Sequence, residues 1–265
     1  MNFFDSHAHY DDIAFEEDRV ELLESLREKN INYVVNVGAD LESTKRTIDL
    51  CNQFSFIYGA AGIHPEAADH LTNKDFAWIR EQLNHSKIVA VGETGLDYYW
   101  KEVEPHIQKE AFDKQLQFTL ETNLPVIVHS RDAAKDTLDM IRSANNNHRM
   151  KGIIHCFSYT KETAREYLDM GFLFGIGGVI TFSNAQKLKE AVQYIPIESI
   201  VLETDSPYLS PIPFRGKRNS SLNLPIIGKA IAEVKGLDYE EAMSILYQNT
   251  LMIYGLQEKG IDANK

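Results

Sequence analysis

Eight short apolar, β-branched runs recur along the chain, at residues 2–4, 33–37, 56–63, 88–91, 126–128, 152–154, 172–176 and 199–202. Amphipathic segments separate them, at 17–28, 42–51, 74–83, 105–121, 133–143, 161–170 and 185–192. Strands that are continuously apolar rather than alternating belong to a parallel sheet covered by helices on its faces. The segment 105–121 shows the helical half of the pattern. Pro105 suits a first turn; Ile107, Ala111, Leu116 and Leu120 form one stripe, and Lys109, Glu110, Asp113 and Lys114 face away from it. Eight such units predict a (β/α)8 TIM barrel with its active site at the C-terminal ends of the strands. The alternative, an open doubly wound sheet, would carry a glycine-rich phosphate loop after an early strand. Neither GxGxxG nor GxxxxGK[ST] occurs, and Gly175-Ile176-Gly177-Gly178 comes late with the wrong spacing. Two more helices are expected near 224–234 and 239–254. No linker or composition break interrupts the chain, so residues 1–256 read as one domain and 257–265 as a polar tail.

Charge and cysteine content narrow the function classes. Lys and Arg total 27 against 39 Asp and Glu, a formal charge of −12. Such a body repels polyanions at long range and excludes a broad basic face that coats DNA. It leaves room for a nuclease, because bound cations reverse the potential inside a pocket. Cys51 and Cys156 are too few for a disulfide scaffold. The opening MNFFDSHAHYDD lacks the basic and apolar regions of a signal peptide, and no apolar run approaches the ~18 residues of a membrane helix. A cytoplasmic protein without membrane contact, monomeric or weakly oligomeric, is the expectation.

The chemistry lies where the apolar runs stop. The polar ends are Asp5-Ser6-His7-Ala8-His9, Gly62-Ile63-His64-Pro65, Gly92-Glu93-Thr94-Gly95, His129-Ser130-Arg131-Asp132, His155-Cys156-Phe157 and Glu203-Thr204-Asp205-Ser206-Pro207. A barrel would gather these at one mouth. His7 and His9, two apart on a strand, point to one side and can hold one cation. His129 and His155 add imidazole nitrogens; Glu93 and Asp205 add carboxylate oxygens. A lone histidine at a strand end is commonly a capping or packing residue, but six such donors at five strand ends are hard to assign to packing, since unpaired buried acids are costly. They exceed the needs of one tetrahedral zinc and fit two divalent ions about 3.5–4 Å apart sharing a carboxylate. His70, His85, His106 and His148 lie among polar neighbours and read as solvated. Cys156 should point away from His155 into the core, and Cys51 reads as core.

The segments FFDSHAHYDD, AAGIHPEAA, VAVGETGLDYYW, PVIVHSRDA, IIHCFS, VLETDSPYLSP and RGKRNSSLNLP resemble, in order, those of the TatD family of metal-dependent deoxyribonucleases. They span Asp5 to Pro225. The resemblance implies a TIM-type barrel, a divalent-metal site and hydrolysis of DNA phosphodiesters. By position, it implies that His7 and His9 bind one metal, His129 and His155 a second, that Glu93 bridges the pair, and that Asp205 contacts metal. It also implies that His64 contacts a substrate phosphate. Two departures stand out: Ser220 and Ser221 follow Asn219 where many members carry an acid and a proline, and Ala8 stands between the first two histidines where Cys or Asn is frequent.

Other residues keep two readings. Arg131 either forks onto a phosphate or pairs with Asp132 or a helix terminus. Arg215, Lys217 and Arg218 either contact a DNA backbone or form a solvated loop. Tyr98, Tyr99 and Trp100 either stack on an unpaired base or pack their loop onto the barrel. The expected reaction uses Glu93 and Asp205 as catalytic groups, with Asp205 as general base, His64 and Arg131 as substrate contacts, and two divalent cations from among Zn, Mn, Mg, Fe and Co. Its expected substrate is a single-stranded DNA end trimmed 3′ to 5′. The alternatives are a relative acting on a small ester, lactone or phosphate, and a metal-stabilised binding protein. Many enzymes of the former kind bridge their metals with a carboxylated lysine, and Glu93 stands in that place here.

Overall fold

The strands are β1 (Phe3–Ala8), β2 (Ile31–Val37), β3 (Ile57–Ala61), β4 (Ile88–Asp97), β5 (Val126–Arg131), β6 (Gly152–Ile154), β7 (Leu173–Ile176) and β8 (Ile200–Leu202), each parallel to the one before it in a single sheet ordered β1 to β8. The computed structural model describes residues 1–145 and 150–256. The expected tail 257–265 and His148 lie outside the described residues. Between strands run α1 (Arg19–Glu28), α2 (Leu41–Gln53), α3 (Asn73–Gln82), α4 (Pro105–Thr122), α5 (Ala134–Ala144), α6 (Lys161–Asp169) and α7 (Gln186–Tyr194); α8 (Leu224–Lys235) and α9 (Tyr239–Ile253) follow β8. This is the (β/α)8 barrel. It closes where the chain after β8 zips onto β1: Asp205 N donates to His7 O at 2.9 Å and His9 N to Ser206 O at 2.7 Å. The closing hydrogen bonds therefore involve three residues of the predicted site.

Below the mouth, Val35, Ile127, Ile153 and Val201 pack with Tyr247, Leu251 and Tyr254 of the C-terminal helix region. Strand parity carries β5 from apolar Ile127 to polar His129 on the same face; His155, Glu203 and Asp205 follow directly on the ends of β6 and β8. Among the described residues, no helix is long and apolar enough to cross a membrane.

Two elements differ from expectation. β4 does not stop at Val91 but runs on through Asp97, pairing Gly95 with His129 and Asp97 with Arg131. Polar residues can extend a buried strand only if their hydrogen bonds are satisfied. Gln108 and Gln115, buried on α4 within its apolar stripe, do this. Gln108 accepts from Asp97 N and donates to Asp97 O, both at 2.8 Å; Gln115 donates to Thr94 Oγ1 at 2.7 Å and accepts from Ile63 N at 2.7 Å. Gly95 sits at φ 148°, and a Cβ there would collide with the His129 carbonyl. The second difference is Cys156. It lies beyond the end of β6 at φ 45°, so strand alternation no longer aims it, and its Sγ is within 4.8 Å of ligand atoms of His155 and Asp205. The expected core placement of Cys156 is thereby corrected; Cys51 is buried in the core.

Candidate metal centre

The barrel brings all six predicted donors together. His7 Nε2 and His9 Nε2 are 3.1 Å apart, as expected for same-side residues at a strand end. Glu93 lies at the centre: its Oε2 is 3.3 Å from His7 Nε2 and 3.7 Å from His9 Nε2, and its Oε1 is 2.8 Å from His129 Nδ1 and 3.7 Å from His155 Nε2. Asp205 Oδ1 closes the other side, 3.5 Å from His9, 3.7 Å from His155 and 3.9 Å from His7, each at Nε2. Asp205 is held at φ 57°, in the left-handed region that Asp and Asn tolerate better than other side chains. Among the described residues four overlapping donor groups result, His7–Glu93–His155, His7–His9–Asp205, His64–Glu93–His129 and His155–Cys156–Asp205, with Glu93 common to two of them.

Neighbours aim these imidazoles, a recurrent feature of metal-binding histidines. His9 Nδ1 donates to Val37 O at 2.8 Å, which makes Nε2 the nitrogen that faces the cluster. His129 turns Nδ1 to Glu93 and Nε2 to Asp97 Oδ2 at 2.9 Å. His155 Nδ1 faces the fully buried Glu203, 3.2 Å from its Oε1, which also accepts from Cys156 N at 2.7 Å. The sequence alone does not single out Asp97 and Glu203 as partners; the only hint is even spacing, Asp97 four residues after Glu93 and Glu203 two before Asp205.

Electrostatics agree with a cation site. Burial alone would drive His9, His129 and His155 down. The carboxylates outweigh it: Asp205 and Glu93 hold His9 at about 9, Asp97 and Glu93 hold His129 at about 9, and Glu203, Glu93 and Asp205 hold His155 at about 10. Burial also pushes Glu93 up, but the charges of His155 and His7 and its bonds to His129 and His7 bring it well below the usual carboxylate range. The cluster thus stabilises positive charge, and its imidazole nitrogens and hard oxygens fit divalent first-row ions. His7, His9, Glu93, His129, His155 and Asp205 are the residues that would hold them.

The family model for TatD-related DNases matches residues 4–255. The chain belongs to the TatD family of metal-dependent hydrolases. It is 39% identical over 251 residues to the uncharacterized metal-dependent hydrolase YabD of Bacillus subtilis, covering 95% of this chain and 98% of that one. It is 36% identical over 259 residues to the uncharacterized metal-dependent hydrolase TatD of Mycobacterium tuberculosis, covering 95% and 97%. Among solved structures, the TatD homolog YJJV of Escherichia coli superposes with a TM-score of 0.90 at 25% identity, covering 96% and 98%.

Within this TatD barrel the remaining expected site residues divide. His64 Nε2 is 3.8 Å from Glu93 Oε1, and its ring is edge-on to His129 at 4.4 Å. Its Nδ1 accepts from Glu66 N at 3.2 Å, which puts the neutral ring's proton on Nε2, facing the mouth as a donor. Burial, then His129, lowers His64 to about 3, so it stays neutral. Arg131 makes no ion pair with Asp132; its guanidinium lies over the Tyr99 ring, 3.9 Å from the centroid. The basic loop is not uniform. Arg218 grips Asp18 with two hydrogen bonds of 2.7 and 2.6 Å, and Arg215 lies over the Phe182 ring at 4.4 Å. Beyond that loop, Ser221 donates to the buried Asp5 at 2.6 Å and shares a hydrogen bond with Tyr10 OH at 2.8 Å. Burial raises Asp5 to about 7.

Proposed function

We propose that this protein is a deoxyribonuclease that hydrolyses DNA phosphodiesters at single-stranded ends, trimming 3′ to 5′, with two divalent cations held around Glu93. The observation that carries this reading is the convergence of His7, His9, His129, His155 and Asp205 on one central carboxylate, Glu93, at the barrel mouth. Bound cations would polarise the phosphoryl oxygen, acidify the attacking water and stabilise the leaving oxygen. Asp205 faces the same space and takes the proton of that water; burial raises its carboxyl, but the His155 charge and the His9 contact outweigh this and keep it ionised at neutral pH. His64 donates through Nε2 to a non-bridging oxygen, and Arg131 supplies positive charge beside it. A cation-binding mouth in a body of charge −12 suits a chain end rather than a duplex flank. The reading includes a cytoplasmic setting, in keeping with the free thiols Cys51 and Cys156.

A matrix of metals against substrates tests it, with end-labelled single-stranded DNA, duplex DNA, RNA and small esters and lactones. Metal-dependent shortening of single-stranded DNA from the 3′ end is expected. Turnover of a small ester or lactone without cleavage of any oligonucleotide would overturn it.

A further inference from the structure

Large apolar side chains are exposed mainly around the mouth: Ile13 after β1, Tyr99 and Trp100 after β4, and Tyr208, Ile212 and Phe214 after β8. Tyr99 and Trp100 are adjacent, 50% and 45% exposed, with rings edge-to-face at 4.9 Å. Arg131 reaches them from the neighbouring strand, its guanidinium carbon 3.9 Å from the Tyr99 centroid and 5.7 Å from that of Trp100. Arg131 is two residues beyond His129, so it leaves β5 on the same face about 7 Å further out. Asp97 ties this rim to the metal centre. Its Oδ2 holds His129 Nε2 at 2.9 Å, while its Oδ1 accepts from Tyr99 N at 2.9 Å and Trp100 N at 3.0 Å. One carboxylate therefore fixes a metal-ligand ring and the backbone of the exposed pair in one rigid unit.

Two aromatic faces and a guanidinium plane make a surface for a flat π-system, and the positive charge admits the anionic backbone that carries it. A paired base has both faces covered by its neighbours; an unpaired one does not. Stacking also supplies attraction that salt does not screen, which matters for a polyanion approaching an acidic body. We infer that Tyr99, Trp100 and Arg131 form a subsite for an unpaired nucleobase, seating the nucleotide next to the phosphate held at the metal centre. This rests on the phosphodiester reading above.

The chain has two tryptophans, so Trp78→Phe leaves Trp100 as the sole indole. The metal-loaded Trp78→Phe protein is titrated with a phosphorothioate oligothymidylate and with an abasic phosphorothioate strand of the same length. Saturable quenching by the first and not the second is expected. Anisotropy of the labelled strands then compares Trp100→Ala and Trp100→Phe with the parent. Alanine should weaken binding of the base-bearing strand about 5- to 100-fold and of the abasic strand less than about 2-fold, and phenylalanine should recover most of the loss. Equal affinity for the two strands in the parent, or unquenched Trp100 at saturation, would overturn the subsite. Cleavage of unmodified strands is measured alongside. Cleavage with equal affinities removes the subsite and leaves the nuclease standing; absence of cleavage removes the nuclease, and quenching still decides the subsite.

Discussion

At the scale of single residues, Asp205 and the histidines make separable claims. Asparagine is the informative replacement for Asp205, because it tolerates the φ of 57° and keeps an oxygen for the cation. It loses the proton acceptor, so single-turnover cleavage should fall about 10²- to 10⁴-fold with metal content measured in parallel. Near-normal turnover would remove Asp205 as the base. The histidines predict a pH dependence. Carboxylates hold His9 and His129 at about 9 and His155 at about 10, so in cation-free protein these rings carry protons at neutral pH. A metal must displace those protons, and the competitor disappears as pH rises through the histidine values. Affinity should tighten between pH 6.5 and 8.5 by about tenfold per pH unit for each proton displaced. Calorimetry in buffers of different ionisation enthalpy counts the protons released; zero release would mean that the rings are already neutral.

At the scale of elements, the eight strands and the ends that carry His7, His9, Glu93, His129, His155 and Asp205 were legible because burial on both faces leaves an unbroken apolar run, and the first polar residue marks the rim. What stayed hidden depends on contacts between elements. The run at 88–91 gives no sign that β4 continues through Asp97, because that extension depends on β5 and on two buried glutamines from α4. The partners Asp97 and Glu203 escape for the same reason: register decides whether Asp97 faces the His129 ring on the next strand, and Glu203 reaches His155 only across the intervening β7, where a Cβ on Gly175 would meet its carboxylate. Cys156 departs from strand alternation because β6 ends at Ile154 and the chain turns at φ 45°. The β4 extension has a direct test in Gly95. At φ 148°, with the His129 carbonyl where a Cβ would stand, alanine is both strained and obstructed. Gly95→Ala should cost about 1–3 kcal/mol of stability, measured by urea unfolding, and should weaken metal binding by displacing the His129 backbone. A variant of unchanged stability and metal content would show that the β4–β5 rung is not held as tightly as described.

At the scale of the whole molecule, an acidic body must attract its polyanion locally, and the loop after β8 shows how one cluster of basic residues divides that work. Arg218 is spent on structure. Its double hydrogen bond to Asp18 and its place over Phe15 at 4.8 Å tie the loop to the segment after β1, across some 200 residues of sequence. Lys217 has no acidic partner among the described residues, and with Arg215 it lines a cleft of about 510 Å³ bounded by Tyr208 and Leu209, beside Asp205. The two substitutions should therefore separate. Lys217→Ala should raise the oligonucleotide KM and make the log–log salt slope shallower by about 0.7, the contribution of one phosphate on a single strand, with thermal stability unchanged. Arg218→Ala removes a half-exposed ion pair, a contribution of about 0–1 kcal/mol, so it should lower stability slightly. It should change KM only through a loosened loop and leave the salt slope close to that of the parent. Steady-state kinetics across a salt series, with unfolding curves for both variants, decide between them. A slope that responds to Arg218 and not to Lys217 would mean that substrate displaces Asp18 from the guanidinium; a slope that responds to neither would leave the metal centre and Arg131 as the phosphate-binding positions.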